Sequence, residues 1–88
     1  MASIEIYTTP LCGYCQAAKR LLSSKGTGFA ETDVSRDPEA RAEMERRSGR
    51  RTVPQIWIGE THVGGYDDLA ALERAGRLDA LLQGAPAA

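Results

Sequence analysis

Glycine and proline cut this chain into short pieces. Pro10, Gly26, Pro38, Gly49, Pro54, Gly59, the pair Gly64-Gly65 and Gly76 leave no interval long enough for an extended helix. Any core must therefore be assembled from short strands and short helices, each stopped by one of these residues. Residues 3–8 alternate, Ile4 and Ile6 against Ser3, Glu5 and Tyr7, as a strand does, and end at Thr9-Pro10. From 13 to 25, Ala17, Ala18, Leu21 and Leu22 recur at spacings of three and four, which predicts a helix with one buried stripe, closed by Gly26. A second strand is predicted over 29–34. Asp37-Pro38 then supplies an N-cap and a proline at the first helical position for a helix over 38–48. That helix carries few apolar residues and is expected on the surface.

Val53 and Ile56-Trp57-Ile58 read as a buried strand with Pro54 at its start, because proline cannot donate within a ladder. Trp57 is expected in the core. Gly59-Glu60 turns the chain into a short strand over 61–63, where His62 is expected to face solvent. Asp67 or Asp68 is expected to cap a last helix whose apolar face is Leu69, Leu72, Leu78, Leu81 and Leu82, with Gly76 as a possible interruption. The order β-α-β-α-β-β-α predicts an α/β fold: one mixed four-stranded sheet with helices packed on it. With 88 residues there is room for a single domain, residues 1–88, whose core runs over about 3–82 and whose tail, 84–88, is expected to fray.

Charge narrows the function. Eleven basic residues against twelve acidic ones, and an isoelectric point near 5.8, argue against nucleic acid as a partner, since phosphate-driven affinity needs clustered excess Lys and Arg. No stretch is apolar enough for a membrane span, and the first ten residues lack the basic start and apolar run of a secretory signal, so a cytoplasmic location is expected. In a reducing compartment a lone cysteine pair is more often catalytic or metal-binding than a structural bridge.

The pair is Cys12-Gly13-Tyr14-Cys15, at the start of the first predicted helix. Cys12 falls where unpaired N–H groups and the positive end of the helix dipole favour a thiolate, and Cys15 lies one turn inside. Helix-terminal thiols of this pattern have pKa values from ~3.5 to ~7.5, against ~8.5 for a free thiol. A lower pKa does not speed attack. A drop to ~5 raises the thiolate fraction about 30-fold, and a Brønsted slope of ~0.45 removes nearly the same factor from intrinsic reactivity. It improves departure, which suits a catalyst that must be released repeatedly. Zinc takes four ligands, and His62 is the one histidine in the chain, so no metal is expected in the redox chemistry.

Cys12-Gly13-Tyr14-Cys15, together with Thr8, Thr52-Val53-Pro54 and Gly64-Gly65-Tyr66-Asp67-Asp68, resembles the dithiol glutaredoxins, and the likeness covers about residues 3–82. The resemblance implies a thioredoxin-like fold with a cis Val53-Pro54 bond facing the Cys12 turn. It implies catalytic roles for Cys12 and Cys15, with glutathione as co-substrate. The main chain of Val53 would pair with the cysteinyl part of glutathione, and the N–H groups of Tyr66 and Asp67, after Gly65, would hold its γ-glutamyl carboxylate. Asp67 or Asp68 would take the α-ammonium, and Tyr14, Thr52 and Pro54 would complete the groove.

The substrates so implied are glutathionylated or disulfide-containing proteins, turned over by a monomer. Two other readings compete: iron–sulfur cluster binding or transfer by a glutathione-bridged dimer, and a protein reductant served by thioredoxin reductase. Three positions depart from the common pattern. Thr9 stands where a lysine is frequent, which leaves Lys19, Arg50 or Arg51 to assist the thiolate; Gly13 replaces a frequent proline; and Tyr66 replaces a frequent cysteine.

Overall fold

The computed structural model describes residues 2–84. The expected frayed tail lies, from residue 85 onward, outside the described residues. The strands are β1 (Ile4–Thr8), β2 (Ala30–Asp33), β3 (Gln55–Ile58) and β4 (Thr61–Gly64). The helices are α1 (Gly13–Ser24), α2 (Pro38–Ser48), α3 (Tyr66–Arg74) and α4 (Leu78–Leu82). The sheet order is β2-β1-β3-β4, with β1 parallel to β2 and the other pairs antiparallel. None of the described helices is long and apolar enough to cross a membrane.

Alternation along β1 and β3 sends residues to two faces, and both faces are covered. On one, Ile4, Ile6, Ile56 and Ile58 pack with Ala18 and Leu22 of α1, Leu69 of α3 and Leu78, Leu81 and Leu82 of α4. On the other, Tyr7 and Trp57 pack with Val34 and Met44, their rings edge to face at 5.5 Å. Tyr7 is therefore buried too, at 6% exposure, because a helix lies over the face to which the alternation assigns it.

That helix is α2. Its sequence holds so little apolar surface that it was expected to lie outside, and most of it does, but Met44 is fully buried. Arg47, one turn on, substitutes for missing hydrophobic cover. Its guanidinium lies 4.2 Å from the Trp57 ring centre and bonds Tyr7 Oη at 2.8 Å and Glu5 Oε2 at 3.0 Å.

The single final helix expected from the leucine spacing is two. Gly76 takes φ +71°, its N–H bonds Glu73 O, and the N–H of Arg77 bonds Leu72 O at 2.9 Å, a Schellman closure of α3. The break redirects the chain so that the leucines of α4 reach the same core as Leu69.

Because Met44 supplies the buried apolar anchor of α2, Met44→Ala is expected to destabilise the fold by about 2–5 kcal/mol. The measurement is the shift of the urea midpoint at unchanged slope.

Candidate active site

Antiparallel pairing of β1 with β3 places Tyr7 opposite Gln55, so the segment leaving β1 meets the segment entering β3. The first carries Cys12 and the second carries Thr52-Val53-Pro54. The Val53–Pro54 peptide is cis, and the Cys12 thiol donates a long bond to Val53 O at 3.8 Å.

Cys12 is itself the N-cap of α1. Its backbone is extended, and its Sγ accepts the N–H of Cys15 at 3.1 Å, the role that serine or aspartate commonly fills. One helical turn inward the second thiol has no solvent contact. Burial, then its hydrogen bond to Cys12, pushes the Cys15 thiol up to about 12. Half-exposed Cys12 and buried Cys15 are both free thiols.

Beside them runs a groove of about 310 Å³ lined by Tyr14, Arg50, Thr52, Val53, Pro54, Gly65, Tyr66, Asp67 and Asp68. Every residue expected to contact glutathione is thus on one surface, joined to Cys12 through Val53. Tyr14 and Tyr66 stack at 6.2 Å and form one wall. Tyr14 and Leu11, on either side of Cys12, are the exposed large apolar side chains among the described residues.

The start of α3 differs from the expected aspartate cap. Gly65 is the N-cap, and Asp68, in the first turn, reaches back to accept the Gly65 N–H at 3.0 Å. Gly64 must be glycine, since it has φ +114° and a side chain there would collide with the Asp68 carboxylate. Asp68 Oδ2 also accepts Arg50 Nη1 at 3.1 Å. The Gly65 N–H first, and Arg50 with it, hold the Asp68 carboxyl below the usual aspartate range. Asp67 is exposed on the groove.

The expected cationic helpers are engaged elsewhere. Arg51 Nε lies 3.7 Å from Glu45, and Lys19 bonds Glu31 Oε2 at 2.9 Å, an oxygen it shares with Thr8 Oγ1. Arg50 does line the groove, at its Asp68 end.

His62 is not the free surface residue expected. It is half-buried, 4.7 Å from the Trp57 ring centre, with Nε2 2.7 Å from Gln55 Oε1. No motif in the sequence marks Gln55. The available signal was a lone amide at the head of an apolar strand, where a polar side chain needs a partner. Among the described residues no three His, Cys, Asp or Glu side chains gather as a metal site.

Two-thiol disulfide exchange uses one sulfur in solvent and a second held back within reach, and the first turn of α1 supplies both. On a sheet of this order, with a cis-proline loop opposite, that arrangement defines the thioredoxin-like oxidoreductases. Comparison with known proteins narrows the class: residues 4–63 match the glutaredoxin family model. The chain is 62% identical to a glutaredoxin of Pseudomonas aeruginosa over 93% of its own length and 98% of the relative's. It is 54% identical to glutaredoxin 3 of Escherichia coli over 94% and 100% of the two chains. A buckwheat glutaredoxin solved in complex with glutathione superposes with a TM-score of 0.86 at 27% identity, covering 93% of this chain and 77% of the other. The chain belongs to the glutaredoxin family and is a thiol–disulfide oxidoreductase.

Two expectations follow from the geometry. Iodoacetamide at neutral and mildly alkaline pH should place one adduct, on Cys12, while Cys15 reacts only after denaturation; peptide mass mapping reads this directly. Because the folded Asp68 pKa is depressed, its stabilisation is complete above the ordinary aspartate value of ~3.9 and is lost as pH falls through the depressed value. Asp68→Asn should therefore lower Tm at neutral pH, and the gap to wild type should narrow in acid.

Proposed function

We propose that this protein is a glutathione-dependent oxidoreductase that reduces glutathionylated proteins and protein disulfides through Cys12 and Cys15. The observation that carries the reading is the groove, which meets Cys12 at Val53 and is long in main-chain and helix-terminal groups suited to a tripeptide.

The main chain of Val53, which lines the groove, would pair with the cysteinyl residue of glutathione as an added strand. The N–H groups of Tyr66 and Asp67, at the start of α3, would take the γ-glutamyl carboxylate, with Arg50 beside them. Asp67 is the better partner for the α-ammonium, because Asp68 is already engaged by Gly65 and Arg50. Tyr14, Tyr66, Thr52, Pro54 and Gly65 form the remaining walls. That a buckwheat relative was solved in complex with glutathione supports glutathione as the ligand.

In the reaction the Cys12 thiolate attacks the glutathionyl sulfur, forms a Cys12–glutathione disulfide and expels the substrate thiolate, which takes up a proton. Two exits follow. A second glutathione thiolate attacks the glutathionyl sulfur and leaves as oxidised glutathione, or Cys15 attacks Cys12 Sγ, expels glutathione and closes the Cys12–Cys15 disulfide. In the first exit the Cys15 N–H, already aimed at Cys12 Sγ, holds the departing sulfur. In the second, Cys15 must first lose its proton. Bonding Cys12 to glutathione removes that sulfur's contribution to the high Cys15 value but leaves the burial, so the glutathione exit should dominate when glutathione is plentiful.

Turnover with glutathione and glutathione reductase, compared with thioredoxin reductase, tests the proposal. Cys15→Ser should keep reduction of a glutathionylated peptide and lose much reduction of protein disulfides. Cys12→Ser should lose both, and activity surviving in Cys12→Ser refutes the reading.

A further inference from the structure

Gln55 is a side chain with 0% exposure at the point where the Thr52–Pro54 loop enters the sheet. Its hydrogen bonds determine more than its own orientation. The Thr52 carbonyl oxygen only accepts, so the Gln55 atom 3.1 Å from it is the amide nitrogen, which also lies 3.2 Å from Thr52 Oγ1. The amide oxygen therefore faces His62. An amide oxygen only accepts as well, so the 2.7 Å contact requires a proton on His62 Nε2. The imidazole is held in place by its tilted contact with Trp57, which is buried and covered by Arg47.

The result is a continuous strut from β4, through β3, to the loop that lines the groove. With its carbonyl and hydroxyl both engaged by Gln55, Thr52 cannot rotate its following peptide freely, and the Val53 main chain is held in one setting. Binding a tripeptide to a main chain already set costs less ordering than binding to a mobile one.

We propose that His62 is a positioning residue for the groove: its Nε2–H locks Gln55 onto Thr52 and so presents the Val53 main chain to the glutathionyl group. The inference rests on the glutathione reading above. Arg50, Arg47 and Asp68 are the charged groups that face the ring. The donor is present in the neutral Nε2–H tautomer and in the imidazolium alike, so the strut does not depend on which of them is populated.

Steady-state kinetics with a glutathionylated peptide, glutathione and glutathione reductase test this. His62→Phe keeps a ring against Trp57 and removes the donor; KM for the peptide should rise about three- to tenfold, with kcat within about twofold. His62→Gln, whose amide nitrogen reaches as far as Nε2, should restore KM. A general loss of packing would impair both variants alike, and that result overturns the proposal, as does an unchanged KM in His62→Phe.

Nitrogen-15 spectra of the unmutated protein at neutral pH give a second readout that needs no variant. A proton on Nε2 is expected, and the Nδ1–H tautomer overturns the proposal even if His62→Phe does not fold. A wild-type protein that fails to turn over the glutathionylated peptide counts against the glutathione reading instead, and the tautomer still judges the strut.

Discussion

The pairing of β1 with β3 is the constraint on which the site depends. Because the two strands run antiparallel with Tyr7 opposite Gln55, the chain leaving one must lie against the chain entering the other. Cys12 and the cis Val53–Pro54 loop, 41 residues apart, become neighbours for that reason. The pairing is secured from both faces, by the isoleucines against α1, α3 and α4 and by Tyr7 and Trp57 against α2. Helix α2, through Met44 and Arg47, covers the strand that follows the loop.

Within the site, the start of one helix gives two identical side chains opposite properties. Cys12 stands outside the helix and serves as its cap, so its sulfur meets an oriented N–H and solvent. Cys15 stands inside the first turn against the core, where burial makes ionisation expensive. No other residue type is needed to set a half-exposed sulfur apart from a buried one. Thr9, ahead of the first cysteine, carries no charge, and the candidate cations Lys19, Arg50 and Arg51 are each paired with a carboxylate.

Much of the fold was legible along the chain. The limits of α2 and the placing of Pro54 followed from local rules, since a proline lacks a donor and an Asp-Pro pair starts a helix wherever it stands. The misreadings have a common cause. The Leu69–Leu82 spacing suits one helix as well as two, and only the route that brings α4 under the sheet decides between them. His62 looked like a surface residue because its partners, Gln55 and Trp57, lie on the neighbouring strand. Asp67 or Asp68 reads as a cap because an aspartate at a helix start usually is one; here Gly65 takes that position and Asp68 reaches back to it.

By itself the sequence determined the order of elements, the pairing of Cys12 with Cys15 across one helical turn, and the short motifs that set the chain among the glutaredoxins. Those are local properties, dictated by residue type and spacing within a few positions. The tertiary structure decided which groups share a surface: Val53 beside Cys12, Arg50 on Asp68 rather than over the sulfur, and His62 joined through Gln55 to Thr52. Each of these depends on strand register or on the packing of a distant helix, and register is a property of two segments together that neither encodes alone.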